Sequence, residues 1–428
     1  MTKLLIKNGL VIDTRANKNE KFDILIENDK IKRLSKKISL KKDSDIKIIE
    51  AKGKWVIPGI VDMHVHTREP GGEKSETVES ASRAAAAGGI TSILAMPNTV
   101  PATDSPQIIK KLVARAKKKA LINVFFSGAI SAKRAGRKLS AIKAMHKEGI
   151  KAITDDGSAL MDEELLKQAL KLSKKLNIPL LEHCEDSHIS ADGVINKGKV
   201  SARLNIPASA REAEIFIVLR DILAAASIRA PLHIQHASCR ETVELLRCAK
   251  KSGICVTAEV CPHHFTFTEE DAASLNSNYK MNPPLRTKKD ITALKKGLKD
   301  GTIDVIASDH APHTKSDKRK SFIKAPFGII GLETMLPLVI SELVLKKIIT
   351  KKRMVELLCL NPAVLLGLKS KGSLIEGMDA DICILDPLKK ISVPSKFVSK
   401  SSNSPFIGRK LSGWPIMTIV RGKVVYKR

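Results

Sequence analysis

The chain has 428 residues, 43% of them hydrophobic and 28% charged, more than one compact domain holds and suited to a large soluble core with an accessory module. Its 74 Lys and Arg outnumber 45 Asp and Glu for a net charge of +29, but lysines such as Lys41-Lys42, Lys117-Lys118-Lys119 and Lys351-Lys352 spread over the whole length without interleaved aromatics. That pattern argues against a nucleic-acid partner and for a solvated surface whose positive field also attracts an anionic ligand. No apolar run approaches the roughly 18 residues of a membrane helix, so no membrane partner is expected.

Met1-Thr2-Lys3 leads directly into a strand pattern, with no signal peptide expected. The seven cysteines are scattered and contain no C-x-x-C, as expected of reduced thiols in a cytoplasmic protein. Cys184, Cys239 and Cys261 fall near predicted strand ends, but histidines nearby are better placed as metal ligands.

Residues 3–57 read as short alternating strands separated by turns such as Asn8-Gly9 and Asn28-Asp29. From residue 58 apolar runs precede helical stretches. The runs are 56–66, 90–96, 122–130, 150–154, 178–183, 232–236, 254–260 and 303–308. Eight such units over about 300 residues predict an α/β fold, an eight-stranded (β/α) barrel. Residues 372–428 return to strands, among them Asp381-Ile382-Cys383-Ile384-Leu385. The two ends are each too short for a core of their own and are expected to pair as one small β-sandwich. The expected domains are 1–57 with 366–428, and the barrel 58–365.

In such barrels the chemical groups lie at the C-terminal strand ends. The first strand ends in His64-Val65-His66, two imidazoles pointing the same way on a strand, followed by Arg68. The fourth ends in Thr154-Asp155-Asp156-Gly157, the fifth in Glu182-His183-Cys184-Glu185. The sixth reaches His236, and the eighth runs through Ser308-Asp309-His310-Ala311-Pro312-His313. Imidazole and carboxylate ligands without thiolate suit Zn²⁺ before Mn, Fe or Co. Lys151 lies about 16 Å upstream of the fourth strand's end at strand rise and is not expected to reach a metal. His233, three residues before His236, reads as a core histidine, and His263, His264 and His310 as supporting groups. His146 and His188 receive no role. The charged segment 314–324 reads as a mobile lid.

With His64-Val65-His66-Thr67-Arg68-Glu69-Pro70-Gly71, Ala95-Met96-Pro97-Asn98-Thr99, Lys280-Met281-Asn282-Pro283-Pro284-Leu285-Arg286 and Ala325-Pro326-Phe327-Gly328, the chain resembles the dihydroorotases of the amidohydrolase superfamily, in the bacterial class with an aspartate where relatives carry a carbamylated lysine. The resemblance covers the whole chain. It implies one zinc on His64, His66 and Asp309, a second on His183 and His236, and Asp156 bridging them, with Asp155 its close rival for that place. It implies a zinc-activated hydroxide, with Asp309 as the catalytic proton carrier. Arg68, Asn98 and His313 would hold a substrate carboxylate, beside His66, while Asn282 and the backbone at Phe327 and Gly328 would hold the ring amides. The activity implied is the reversible cyclisation of N-carbamoyl-L-aspartate to dihydroorotate in pyrimidine biosynthesis. A homodimer and an association with aspartate transcarbamoylase are the partners it admits. The rival readings are a dihydropyrimidinase, hydantoinase or allantoinase, whose substrates lack the carboxylate Arg68 would meet, and a metal-free homologue that only scaffolds aspartate transcarbamoylase.

Overall fold

The computed structural model describes residues 3–39 and 46–428, so Met1, Thr2 and the Lys41-Lys42 pair lie outside the described residues. Eight parallel strands form the barrel: β1 (Ile60–Val65), β2 (Ile90–Ala95), β3 (Asn123–Gly128), β4 (Ala152–Ile153), β5 (Leu181–Glu182), β6 (Leu232–Ile234), β7 (Val256–Val260) and β8 (Val305–Ile306). They pair in sequence order as two four-stranded sheets. Parallel bridges between Ile153 and Leu180 and between Val65 and His310 close the ring. Val61, Met63, Leu94, Met96, Ala152, Leu181, Val305 and Ala307 fill its interior, the aliphatic layering that a barrel requires in place of aromatics.

Helices cover the outside. Val78–Ala87 shows why they seat closely: its inward side is Ala81, Ala84 and Ala85, small residues that let the helix approach Ile90 and Ile93 of β2. Thr77 caps it, accepting from the Ser80 N–H at 3.1 Å.

The two chain ends meet in one sheet. Its order is Lys423–Lys427, Trp414–Val420, Ile382–Asp386, Trp55–Pro58, Lys3–Asp13, Lys18–Glu27 and Lys30–Ser35, with Lys47–Glu50 branching off Lys3–Asp13. The sheet carries its own core of Leu4, Ile6, Ile24, Ile26, Ile382 and Ile384. Residues 387–413 leave this sheet. They pack Val393, Phe406 and Leu411 against Phe267, Met281 and Ile329 of the barrel loops, which puts a C-terminal segment behind the barrel mouth.

Candidate metal centre

In β1 the strand alternation changes phase. Val61 and Met63 point into the barrel, as a period of two requires. The register against β2 then shifts between Asp62 and Val65, and Val65 packs into the helix-facing core. His64 and His66 therefore take over the inward direction. A bulge re-aims side chains in this way. Both imidazoles are buried, with ring centres 5.4 Å apart.

Four histidines and two aspartates from five strands converge there. Asp156 Oδ1 lies 3.3 Å from His64 Nε2, 3.7 Å from His183 Nδ1 and 3.8 Å from His236 Nε2, and its Oδ2 lies 3.6 Å from His66 Nε2. Asp309 Oδ1 is 3.1 Å from His66 Nε2 and 3.5 Å from His64 Nε2. Two donor groups result, His64–Asp156–His236 and His64–His66–Asp309, each with its donor atoms within 4.8 Å of one another. Arg68, His236 and Asp309 have φ of 57°, 30° and 44°. Non-glycine residues in that region are held there by their surroundings, a common feature of functional sites.

The outward nitrogens of three rings are fixed. His64 Nδ1 donates to Glu259 at 2.5 Å, His66 Nδ1 to Asn98 Oδ1 at 2.8 Å, and His183 Nε2 to Glu185 at 3.2 Å. Each bond leaves the other nitrogen with a lone pair aimed inward, the pattern of metal-binding histidines. His64 Nε2 is buried without a hydrogen-bond partner among the described residues. His183 Nδ1 and His236 Nε2 lie 2.9 Å apart, so a shared proton or cation must sit between two nitrogens otherwise in repulsion. These residues fit a divalent ion.

Electrostatics agrees. Burial raises the pKa of Asp156 and Asp309, but the surrounding imidazoles, His64 foremost, outweigh it and hold both carboxyls below the ordinary range. Both stay ionised. Burial disfavours charge on His183, yet Asp156 and Glu185 raise it to about 9. The centre draws positive charge.

Beside it opens a cleft of about 340 Å³, lined by Arg68, Asn98, Asn282, His313, Phe327 and Gly328 with the ligand residues. Arg68 Nε donates to Pro312 O at 3.1 Å. Its Nη2 approaches His313 Nε2 at 3.3 Å, but that nitrogen lies 2.7 Å from Phe327 O. A carbonyl only accepts, so His313 Nε2 carries a proton and cannot accept from Arg68. Burial and the Arg68 charge lower His313 to about 3, keeping it neutral. Among the described residues, neither Nη atom of Arg68 has an acceptor. The guanidinium presents an open fork to the cleft.

Other sequence expectations land differently. The backbone at Phe327 and Gly328 already has protein partners: Phe327 O takes His313, and Gly328 N donates to Lys280 O at 2.9 Å. Asn98 Nδ2 donates to Asp156 Oδ2 at 3.1 Å and Asn282 Nδ2 to Glu185 at 2.6 Å, so both amides brace the centre as well as line the cleft. Asp155 turns away from the histidines and accepts from the Ile130 and Ser131 N–H groups. His233 lies in the core, with Nδ1 2.8 Å from Thr257 Oγ1, and His310 faces Glu76 at 3.2 Å. Cys261, His263 and His264 form a further buried group, in which His264 is tied to Pro283 O at 2.9 Å. Segment 314–324 is folded, with a helical turn at Lys315–Lys318 and Lys318 Nζ on Pro326 O and Gly328 O at 3.0 and 3.1 Å. Glu259 matches no motif spacing, and its one signal in the sequence is an acid inside Val256-Thr257-Ala258-Glu259-Val260, since a buried carboxylate needs partners.

A closed parallel barrel with a His/Asp cluster at its mouth defines a class, and the amidohydrolase family model matches residues 55–425. The chain belongs to the amidohydrolase family. Among its relatives are the dihydroorotases of Elusimicrobium minutum, 47% identical over 99% of this chain and 97% of theirs, and of Pelotomaculum thermopropionicum, 44% identical over 99% and 98%. Similar solved structures include the L-hydantoinase (dihydropyrimidinase) from Arthrobacter aurescens, with a TM-score of 0.90 and 28% identity over 100% of this chain and 96% of that one. The dihydropyrimidinase from Brevibacillus agri follows at 0.85 and 25%, covering 100% and 95%.

Proposed function

We propose that the protein is a dihydroorotase, interconverting N-carbamoyl-L-aspartate and dihydroorotate. The observation that carries the choice of substrate is the open fork of Arg68, a cation in the cleft whose two Nη atoms have no protein acceptor among the described residues. A planar guanidinium pairs with a carboxylate through two parallel bonds. The hydantoinases that share the fold act, by their names, on rings for which such a fork has no use, and the dihydroorotases are the more similar in sequence.

The donor set favours zinc: His64, His66 and Asp309 would hold one ion, His183 and His236 would hold a second, and Asp156 would serve as a ligand beside both groups. When bound, such ions make a water nucleophilic near neutral pH and polarise the amide carbonyl. Arg68 binds the substrate carboxylate, with Asn98 beside it, and so fixes the ring against the centre. The ionised Asp309 carboxylate accepts the proton that the attacking water loses as its oxygen bonds to the ring carbon. It returns that proton to the ring nitrogen as the carbon–nitrogen bond breaks. Ring closure runs the same steps backward. On this reading Asp156 would take the place that a carbamylated lysine fills in other relatives, and no lysine lines the cleft among the described residues. This reading places the protein in the cytoplasm, in pyrimidine biosynthesis, and admits aspartate transcarbamoylase or a second copy of the chain as partner.

Arg68→Lys tests the reading. Lysine keeps the charge and loses the fork. A charge-assisted bond contributes about 1.5–3 kcal/mol, so kcat/KM for dihydroorotate should fall roughly tenfold to hundredfold. Metal content should not change. Undiminished turnover of dihydroorotate, or loss of metal from the variant, contradicts the role given to Arg68.

A further inference from the structure

Strand β7 lies between β6 and β8, whose ends bring His236 and Asp309 to the centre at the mouth. Its own end carries a different set of donors, Cys261-Pro262-His263-His264. The His264 N–H donates to Cys261 O at 3.0 Å, closing a turn that folds the two rings back over the cysteine. One nitrogen of each ring and the Cys261 sulfur lie within 4.8 Å of one another. The ring centres are 4.2 Å apart, and all three side chains are buried.

The nitrogens of this group are only partly satisfied. His264 Nε2 donates to Pro283 O at 2.9 Å, which leaves a lone pair on Nδ1. That Nδ1 and His263 Nε2 are both buried without a hydrogen-bond partner among the described residues. A buried polar atom left unpaired loses its hydration and gains nothing in return. Two such atoms on adjacent rings, beside a thiol, call for one shared partner. Burial lowers the pKa of both imidazoles, His264 to about 4, so both are neutral and can offer lone pairs. The outward bond from His264 to Pro283 orients its ring as the outer bonds orient His64 and His66 at the mouth.

We propose that Cys261, His263 and His264 hold a thiophilic cation at a site separate from the centre at the mouth. One thiolate with two imidazoles suits zinc and copper(I). Burial, with the Asp309 and Glu259 carboxylates, pushes the Cys261 thiol well above its ordinary range. The thiolate therefore forms only as the ion binds, and its proton passes to solvent. The bond to Pro283 gives the ion a task. Pro283 follows Asn282, which lines the cleft, so an ion here ties the end of β7 to the loop that presents Asn282. The site stands independently of the reaction assigned to the mouth.

Sulfur supplies the test, because the donors at the mouth are imidazoles and carboxylates alone. The full chain, with the exposed Cys248 and Cys255 changed to Ser, is stripped by a chelator. It is then loaded with Co²⁺, a stand-in for zinc, or with Cu⁺ from a coloured chelator. Cobalt on a thiolate gives a near-ultraviolet charge-transfer band that imidazole and carboxylate ligands do not give. This parent should show that band, or take up one more Cu⁺ per chain than its Cys261→Ser variant, and the ion that does so identifies the class. Cys261→Ser should lose the sulfur signal and keep the ions at the mouth. A second variant guards against misfolding of the first: His263→Gln keeps the thiol and should weaken the same ion by roughly tenfold or more. Neither signal in the parent, a signal that persists in Cys261→Ser, or unaltered affinity in His263→Gln each overturns the proposal, including the case in which a buried water fills the gap.

Discussion

Glu259 is one carboxylate with three tasks. It accepts from His64 Nδ1 at 2.5 Å, faces His233 Nε2 at 3.4 Å and takes the His236 N–H at 3.4 Å, so it joins β1, β6 and β7 beneath the site. Glu259→Gln keeps the size but can turn an amide N–H toward His64. The His64 ring then loses the acceptor that fixes its tautomer. Metal affinity should fall roughly tenfold to hundredfold, measured by metal content after dialysis against a graded chelator, while the fold stays intact. Unchanged metal retention would remove Glu259 from the account. The residues gathered at the candidate centre were legible in the sequence because H-x-H, E-H-C-E and S-D-H sit at strand ends, where chemistry concentrates. Glu259 was not, because its neighbours on an apolar strand gave it no spacing to match. Asp155 and Asp156 could not be separated either: alternation lapses once a strand ends, and only the Ile130 and Ser131 N–H groups reveal which carboxylate turns away.

Among elements, the loops around the cleft are held from behind. Asn403, in the segment that leaves the terminal sheet, donates Nδ2 to Ala311 O and Gly328 O at 3.1 Å each and accepts from the His313 N–H at 3.2 Å. Asn403→Leu would leave buried backbone groups unpaired, at a cost of about 1–3 kcal/mol. Unfolding should come at correspondingly lower denaturant, and KM for the substrate should rise because both cleft loops loosen. Equal stability and KM would show that the segment only covers the barrel. Lys318 and Lys280 hold the same loop by its carbonyls, Lys280 Nζ meeting Ile323 O at 2.8 Å and Ala325 O at 2.7 Å. Burial lowers Lys318 to about 7 and Lys280 to about 8. An unfolded lysine titrates near 10.4, so between about pH 7 and 10 the unfolded chain binds more protons than the folded one. Stability then rises with pH across that window. Lys318→Met should flatten the rise, read from denaturation midpoints at fixed metal content, and an unchanged slope would refute it. The eight strands were legible from apolar runs, but several pair over two residues only, as in β4, β5 and β8. The apolar runs continue into the turns that carry the site, so hydrophobicity overstates the ladder. Charge on 314–324 suggested a free lid, but a lysine whose ammonium meets two carbonyls folds inward.

Over the whole molecule, the chain ends meet because Trp55–Pro58, which leads into β1, pairs with Ile382–Asp386 in one sheet. The strand that delivers His64 and His66 is thus anchored by residues more than 300 positions later. Strand alternation and turn residues marked both ends as short β segments too small to stand alone, but not that residues 387–413 return to brace the mouth, since irregular backbone has no period to read. On the proposed reading, the barrel mouth is a metal-dependent, carboxylate-reading cyclic amidase. It is tested most directly by supplying purified protein of measured metal content with N-carbamoyl-L-aspartate in one vessel and dihydroorotate in another. Both vessels should reach the same equilibrium mixture, turnover should be lost when a chelator strips the metal, and it should recover when zinc is returned. A metal-loaded protein inert toward both compounds that opens a neutral ring such as hydantoin would contradict it.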